Sequence, residues 1–298
     1  MTTFDQGEGP RPLRRLAPAK VNLSLAVTGR RADGYHLLDS LVVFADLGET
    51  LEARAAEDLT LAVTGPRSGG VPTDGRNLVL KAAALLRERR DVRTGAALSL
   101  RKALPHGGGV GGGSSDAAAA LALLARLWGV EPLSPKEALI LGADVPVCMA
   151  APGPQRMRGV GDEVAPLAAL PRAALWIVAP PLHLSTPAVF AERARIGTAG
   201  PGAMPPAGAD LSDLAVWLRA EERNHLAEAA YSLAPELRDV RAVLEGTDAL
   251  AVGLSGSGAA HWALCREGGA SLARLREAHP EWIVLGGPIL TPDAPLDA

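Results

Sequence analysis

The residues best suited to chemistry form one run: Pro105, His106, Gly107, Gly108, Gly109, Val110, Gly111, Gly112, Gly113, Ser114 and Ser115, followed by Asp116. Six of the nine residues from 107 to 115 are glycine. Without a Cβ, backbone amides can turn inward and approach a ligand closely. A helix pattern begins where the run ends, and a helix start adds unpaired N–H donors and partial positive charge. Phosphate is the natural occupant. The run is not a Walker A loop, because no Gly-Lys-Ser/Thr follows it. Gly107, Gly109 and Gly112 match G-x-G-x-x-G, but a dinucleotide site needs a strand directly after the helix, and here a second helix follows. A flexible linker would not lead into a capped, wholly apolar helix.

Three further segments carry polar groups in apolar settings. Lys20 and Asn22 fall on the same face of a strand, since strand side chains alternate. Either that face is solvated or both residues line a site. Asp33-Gly34-Tyr35-His36 is either a plain turn or a loop presenting a ring and a hydrogen-bonding imidazole. Asp144 follows a helix among apolar residues, as a turn residue or as a functional carboxylate. A second glycine loop, 253–258, joins two apolar strands and would pass for a hairpin turn.

Elements must hold these groups in place. Apolar/polar alternation predicts strands at 21–28, 37–44, 50–54, 59–64 and 97–102. Residues 78–89 have helical spacing. Residues 116–128 are Ala- and Leu-rich on all sides, as in a buried helix, with Ser114 or Ser115 as its cap and Asp116 complementing its dipole. Residues 134–141 predict a helix with a Ser134/Glu137 capping box and Pro135 at its first position, ended by Gly142 in the left-handed conformation. A hairpin is expected at 156–164 and a strand at 175–179. Helices follow at 211–219, 224–230, 235–245 and 270–278, with strands at 251–254, 261–265 and 282–285. Residues 1–13 read as a flexible tail and 196–209 as a loop or insertion. Strands precede helices in each half, so the fold class is α+β with a boundary near residue 165.

Composition narrows the function classes. The chain has 298 residues, net charge −3 and 48% hydrophobic residues, an ordinary globular balance that calls for neither nucleic acid nor a membrane as partner. No apolar run spans a bilayer, and the polar N-terminus lacks a signal-peptide core. Two cysteines make no disulfide framework and read as buried thiols, which points to the cytoplasm.

In order, 18–23, 105–118 and 252–259 resemble the three motifs of the GHMP kinase superfamily. The carrying segments are APAKVNLSLAVTGRRADGYHLLDSL, NLVLKAA, LPHGGGVGGGSSDAA, LGADVPVC and GLSGSGAA. GRRADGYH is similar to the branch that phosphorylates the 2-hydroxyl of 4-diphosphocytidyl-2-C-methyl-D-erythritol. The resemblance implies a two-domain α+β GHMP kinase fold, with an ATP-binding domain at 14–165, a substrate-side domain at 166–298 and the site in the cleft between them. It implies ATP and Mg²⁺ as cofactors, with no metal-ligating residue assigned. The catalytic pair falls on Lys20 and Asp144. Residues 105–115 would hold the triphosphate, with Asn77 and Lys102 on the nucleotide side. Asn22, Tyr35, His36, Thr186 and Phe190 would bind a small-molecule cytidine-diphosphate substrate, His36 by hydrogen bond and Tyr35 and Phe190 by stacking. A monomer or weak homodimer is implied. His106, Ala125, Val147 and Asp162 depart from the usual pattern without removing a catalytic group. A different kinase of the superfamily, or a non-catalytic nucleotide binder on the same fold, are the competing readings. Retention of both Lys20 and Asp144 speaks against the second.

Overall fold

The computed structural model describes residues 11–197, 200–267 and 270–297. Chain order is β1 (Leu13–Arg30), β2 (His36–Ala56), β3 (Leu59–Thr64), α1 (Leu78–Arg89), β4 (Gly95–Arg101), α2 (Gly112–Trp128) and α3 (Pro135–Ala138), which runs into a 3₁₀ turn (Leu139–Leu141). Then come α4 (Val145–Met149), β5 (Gln155–Gly159), β6 (Glu163–Pro166), β7 (Ala174–Ala179), α5 (Thr186–Ile196) and α6 (Leu211–Arg219). The chain closes with α7 (Ala227–Leu233), α8 (Leu237–Glu245), β8 (Ala251–Leu254), β9 (His261–Cys265), α9 (Ala270–Ala278) and β10 (Ile283–Pro288).

β1 and β2 form one long antiparallel hairpin rather than the separate short strands that alternation predicts. Gly48 explains the difference. It lies between the strands expected at 37–44 and 50–54, yet it pairs with Pro18 within the ladder. A Cβ there would lie 2.1 Å from the Ala17 carbonyl, so glycine allows the strands to stay paired at close approach. The register shifts between Pro18 and Ala19 and again between Asn22 and Ser24. Lys20 and Asn22 therefore sit between two irregularities, the usual device for re-aiming side chains next to a site.

The other edge of β2 is shared by β5 near its start and β4 near its end. β3 runs parallel to β4 through the crossover helix α1, and β6 closes the hairpin with β5. The second sheet, β10-β7-β9-β8, is four-stranded and antiparallel. α1 and α2 cover one face of the first sheet, burying Val79, Leu86, Ala120 and Leu124 against Leu51, Leu98 and Leu100. A second core joins Val21, Leu41 and Val43 of the first sheet to Leu175, Ile177 and Trp262 of the second, so both halves share apolar packing. The chain end returns to the first half: Leu290 N–H donates to Phe44 O and Leu16 N–H to Leu296 O, both at 2.8 Å. Residues 1–10 of the expected tail and 198–199 of the expected loop lie outside the described residues, and Leu13 already belongs to β1.

α2 starts earlier than its apolar pattern suggests. Its cap is not Ser114 or Ser115 but Gly111, at φ 66° with no side-chain cap bond. Both serines lie inside the first turn, and Ser115 Oγ donates to Pro18 O at 2.7 Å instead. The Ser134/Glu137 capping box is present. The helix it starts tightens into the 3₁₀ turn after Ala138, and Gly142 ends it at φ 155°, ψ 150°, outside the left-handed helical region. α5 was not anticipated, although Pro187 in its first turn is a helix-start signal. Cys148 and Cys265 are both buried and unpaired.

α2 is wedged between α1, β1 and α4, so its packing fixes where the glycine run ends. Leu124 is fully buried in that wedge. Leu124→Ala should lower unfolding free energy by about 2–5 kcal/mol, read from urea titration, because the helix cannot collapse onto the void.

Candidate active site

Lys20 and Asn22 face inward and are 3% and 1% exposed, so their face of β1 is not solvated. A buried ammonium must be partnered. Lys20 Nζ donates to Asn22 Oδ1 at 2.9 Å and pairs with Asp144 Oδ2 at 2.9 Å. Asn22 is fixed in turn: its Nδ2 donates to Ser40 Oγ at 2.7 Å, and Ser40 Oγ donates to Ser24 O at 2.5 Å. Asp144 stands at the N-terminus of α4 with its side chain 37% exposed. The pair therefore has a buried cation and a carboxylate open to a ligand.

That carboxylate lines a cleft of about 700 Å³, together with residues 105 to 114, Asn77, Lys102, Asp116 and Thr186. The glycine run forms one wall. Its backbone passes directly over β1: Lys20 N–H donates to Val110 O at 3.0 Å, and a Cβ on Gly111 would lie 2.9 Å from Lys20 Cβ. The first turn of α2 follows, with the amides of Gly112, Gly113 and Ser114 at its open end. Of the run, Ser115 lies behind this wall, on a separate pocket with Cys148 and Met149.

The second glycine loop supports the first. Ser255 Oγ donates to Gly109 O at 2.8 Å and accepts from Asn22 N–H at 3.2 Å. Ala260 N–H donates to Gly108 O at 3.1 Å. A Cβ on Gly109 would lie 2.2 Å from Ser255 O, so the two loops touch backbone to backbone. Residues 253–258, which by local pattern alone would pass for a hairpin turn and which carry the third motif of the family resemblance, pack against the first glycine loop, and Ser255 and Ser40 were not anticipated there.

Lys102 lines the cleft, but its ammonium is held elsewhere. It pairs with Glu49 Oε1 at 2.5 Å and Asp116 Oδ2 at 2.7 Å, in a wholly buried triad under the first turn of α2. Burial opposes its charge, but Asp116 and then Glu49 outweigh burial and raise its pKa. Burial, followed by the neighbouring Glu49 charge, pushes the Asp116 carboxyl well above its usual range against the pull of Lys102. Glu49 gives no sequence signal, since it falls between the strands expected at 37–44 and 50–54. Asn77 caps α1: its Oδ1 accepts from Val79 N–H at 2.9 Å, and its Nδ2 donates to Pro72 O at 2.7 Å. Its amide thus shapes the cleft wall rather than standing free.

On the acceptor side, Thr186 Oγ1 shares a 2.8 Å hydrogen bond with Ser257 Oγ. His36 and Phe190 stack on each other with centroids 4.8 Å apart. No base fits between these two rings at that spacing. Tyr35 is 66% exposed and leaves a ring face free. Burial, then Arg30 and Arg193, lower the His36 pKa, so the neutral imidazole presents one donor and one acceptor.

The buried triad generates two expectations. Lys102→Met strands two carboxyl groups in the interior and should cost about 3–5 kcal/mol in unfolding free energy. Asp116 has a folded pKa above its unfolded value, so the fold favours its protonated form. Its stability contribution is full below the unfolded value and declines as pH rises through the folded one. Asp116→Asn copies the protonated carboxyl and lacks that decline. Urea midpoints between about pH 5 and 8 should show the variant gaining on wild type as pH rises; parallel curves would mean the carboxyl is ionised in the fold.

Comparison with known proteins places this geometry. Residues 77–155 match the profile described as GHMP kinases N terminal domain, and 208–280 that described as GHMP kinases C terminal. The chain is 46% identical over 283 residues to the 4-diphosphocytidyl-2-C-methyl-D-erythritol kinase of Ruegeria pomeroyi, covering 93% of this chain and 99% of that one. It is 49% identical over 285 residues to the kinase of that name from Paramagnetospirillum magneticum, covering 92% and 98%. Among solved structures, a 4-(cytidine 5'-diphospho)-2C-methyl-D-erythritol kinase superposes with TM-score 0.76 at 37% identity, over 93% of this chain and 98% of that one. A homoserine kinase from Cytophaga hutchinsonii, 17% identical over 97% and 98% of the two chains, superposes with TM-score 0.63 and shares the fold. A lysine–aspartate couple facing a glycine-walled cleft, on a chain of this ancestry, belongs to the GHMP kinases and, within them, to the 4-diphosphocytidyl-2-C-methyl-D-erythritol kinase family.

Proposed function

We propose that the chain transfers the γ-phosphoryl group of ATP to the 2-hydroxyl of 4-diphosphocytidyl-2-C-methyl-D-erythritol, a step in non-mevalonate isoprenoid precursor synthesis. The observation that carries this reading is the 2.9 Å Lys20–Asp144 pair at the edge of the glycine-walled cleft.

The residues divide the work. Backbone amides of 107–114 and the open end of α2 bind and orient the triphosphate. Mg²⁺, when bound, would be held chiefly by the triphosphate and would neutralise its charge. A Cβ on Gly113 would meet nothing within 4 Å, so there is open space at the loop mouth for a hydrated cation, with Asp144 lining the same cleft. Asp144 accepts the proton of the attacking hydroxyl as general base. An ammonium has three protons, and Lys20 gives one to Asn22 and one to Asp144. The third is left to polarise the acceptor oxygen. Lys20 also holds Asp144 in place through that pairing. Most of the acceleration comes from alignment and charge stabilisation, as in other phosphoryl transfers.

The neutral His36 suits the donor and acceptor edge of cytosine. With Phe190 covered by His36, the base takes the open face of Tyr35, and it reaches Phe190 only where His36 turns aside. Thr186 and Ser257 offer hydroxyls at the junction of the two halves. An ATP-binding half at 14–165 and a substrate-side half at 166–298 belong to the same reading, with 289–297 packed on the first half. A monomer or weak homodimer belongs to the same reading. A cytoplasmic setting fits two unpaired buried thiols, and among the described residues no helix is long and apolar enough to cross a membrane.

Incubation with ATP and the diphosphocytidyl substrate should release ADP, and its absence would end this reading. Asp144→Asn should lower kcat by roughly 10²–10⁴-fold with little change in ATP affinity, measured by nucleotide titration. Equal loss of binding and turnover would remove Asp144 from the role of base.

A further inference from the structure

Asn224 lies outside the cleft, yet its side chain is fully bonded at the base of the site. It is 2% exposed. Its Nδ2 donates to Leu254 O and Gly256 O, both at 2.8 Å, and its Oδ1 accepts from Leu226 N–H at 2.9 Å. Its backbone neighbours are bolted to β1: Leu25 N–H donates to Arg223 O and His225 N–H to Leu25 O, both at 2.8 Å. Asn224 thus joins β1 to the two carbonyls that flank Ser255. Ser255 in turn holds Gly109 O and Asn22 N–H.

We infer that Asn224 is a positioning residue for phosphoryl transfer. Its amide holds the Ser255 loop, and that loop holds both the phosphate-binding amides and the Asn22–Lys20 pair. The inference rests on the kinase reading above. The chemistry requires asparagine. Two carbonyl oxygens need two N–H donors from one short side chain, and the third bond needs an acceptor on the same group. Aspartate has the shape but presents oxygen to oxygen. Alanine leaves two buried carbonyls without these donors. Neither change touches substrate. Both let Ser255 drift, and a shift of that kind at a reacting site is worth up to about 10²-fold in rate.

The test combines kinetics with exchange. Asn224→Ala should lower kcat roughly 10- to 100-fold while KM for ATP stays within about threefold. Because Asn224 acts through Ser255, the double variant Asn224→Ala/Ser255→Ala should lose no more than about twofold beyond the worse single variant. Losses that multiply across the cycle would overturn the inference. If Asn224→Ala does not fold, the isosteric Asn224→Asp carries the same cycle. Amide hydrogen exchange of Asn22 and Ala260, whose N–H groups donate to Ser255 Oγ and Gly108 O, measured without substrate, should accelerate at least about tenfold in the variant while β4 amides hold their rates. Unchanged exchange at these two amides would overturn the inference even if wild type is fully active. A wild type without turnover would sink the kinase reading and leave the exchange result to decide the inference.

Discussion

Lys20 is an ammonium buried to 97% by the packing of β1, and the rest of the site follows from satisfying it. An unpartnered charge at that depth would lose its proton or unfold the strand. Asn22 supplies a neutral acceptor from the same strand face and Asp144 a negative one from the start of α4. The register shifts on either side of Lys20 and Asn22 direct both side chains to one point. The glycine run must then pass over Lys20 at a distance that a Cβ at Gly111 would not allow. One buried cation thereby dictates the irregular strand, the residue type above it and the placing of a helix start.

The two glycine loops meet backbone to backbone because Gly109 has no Cβ at the point of contact. Gly109 packs on Ser255 O, and Gly108 O accepts from Ala260 N–H. The first glycine loop is therefore not free to flex as its composition suggests. One of its faces is bound to β1 and to the β8–β9 hairpin, and its other face opens on the cleft. Preorganised amides of this kind need no rearrangement when phosphate charge develops, and electrostatic catalysis depends on that.

Much of this was legible in the sequence, for identifiable reasons. α1, β3, α6, β8, β9 and α9 end where periodicity and turn residues end. The glycine run that walls the cleft shows itself because few loops place six glycines before a buried helix. Lys20 and Asn22 were visible as polar residues on an apolar strand, but whether that face was solvated depends on α2 and the second sheet, which lie far away in sequence. Glu49 was invisible, because its role arises only when β2 continues through Gly48 instead of turning. Asn224 reads as the start of a helix and in fact precedes α7, pointing its amide at a loop thirty residues further on. Local pattern reports elements, whereas contacts between distant segments decide which polar residue has a function.

The chain has two buried lysines paired with carboxylates near the same loop, and their surroundings give them different work. Lys102 lies between Glu49 and Asp116, all three nearly without solvent contact. Although Asp116 touches the cleft wall, the triad offers a substrate hydroxyl very little oxygen surface, and the excess of acid over base favours holding a proton instead of accepting one. Lys20 has one carboxylate partner, and that partner is open to the cleft on its far side. On the proposed reading, only there can a carboxylate oxygen take a proton from an incoming alcohol while an ammonium stands beside the same atom. What separates the proposed catalyst from the buttress is the exposure of the acid, not the presence of the lysine. It follows that α4, which sets Asp144 at the cleft edge, matters to the chemistry as much as β1, which buries its partner.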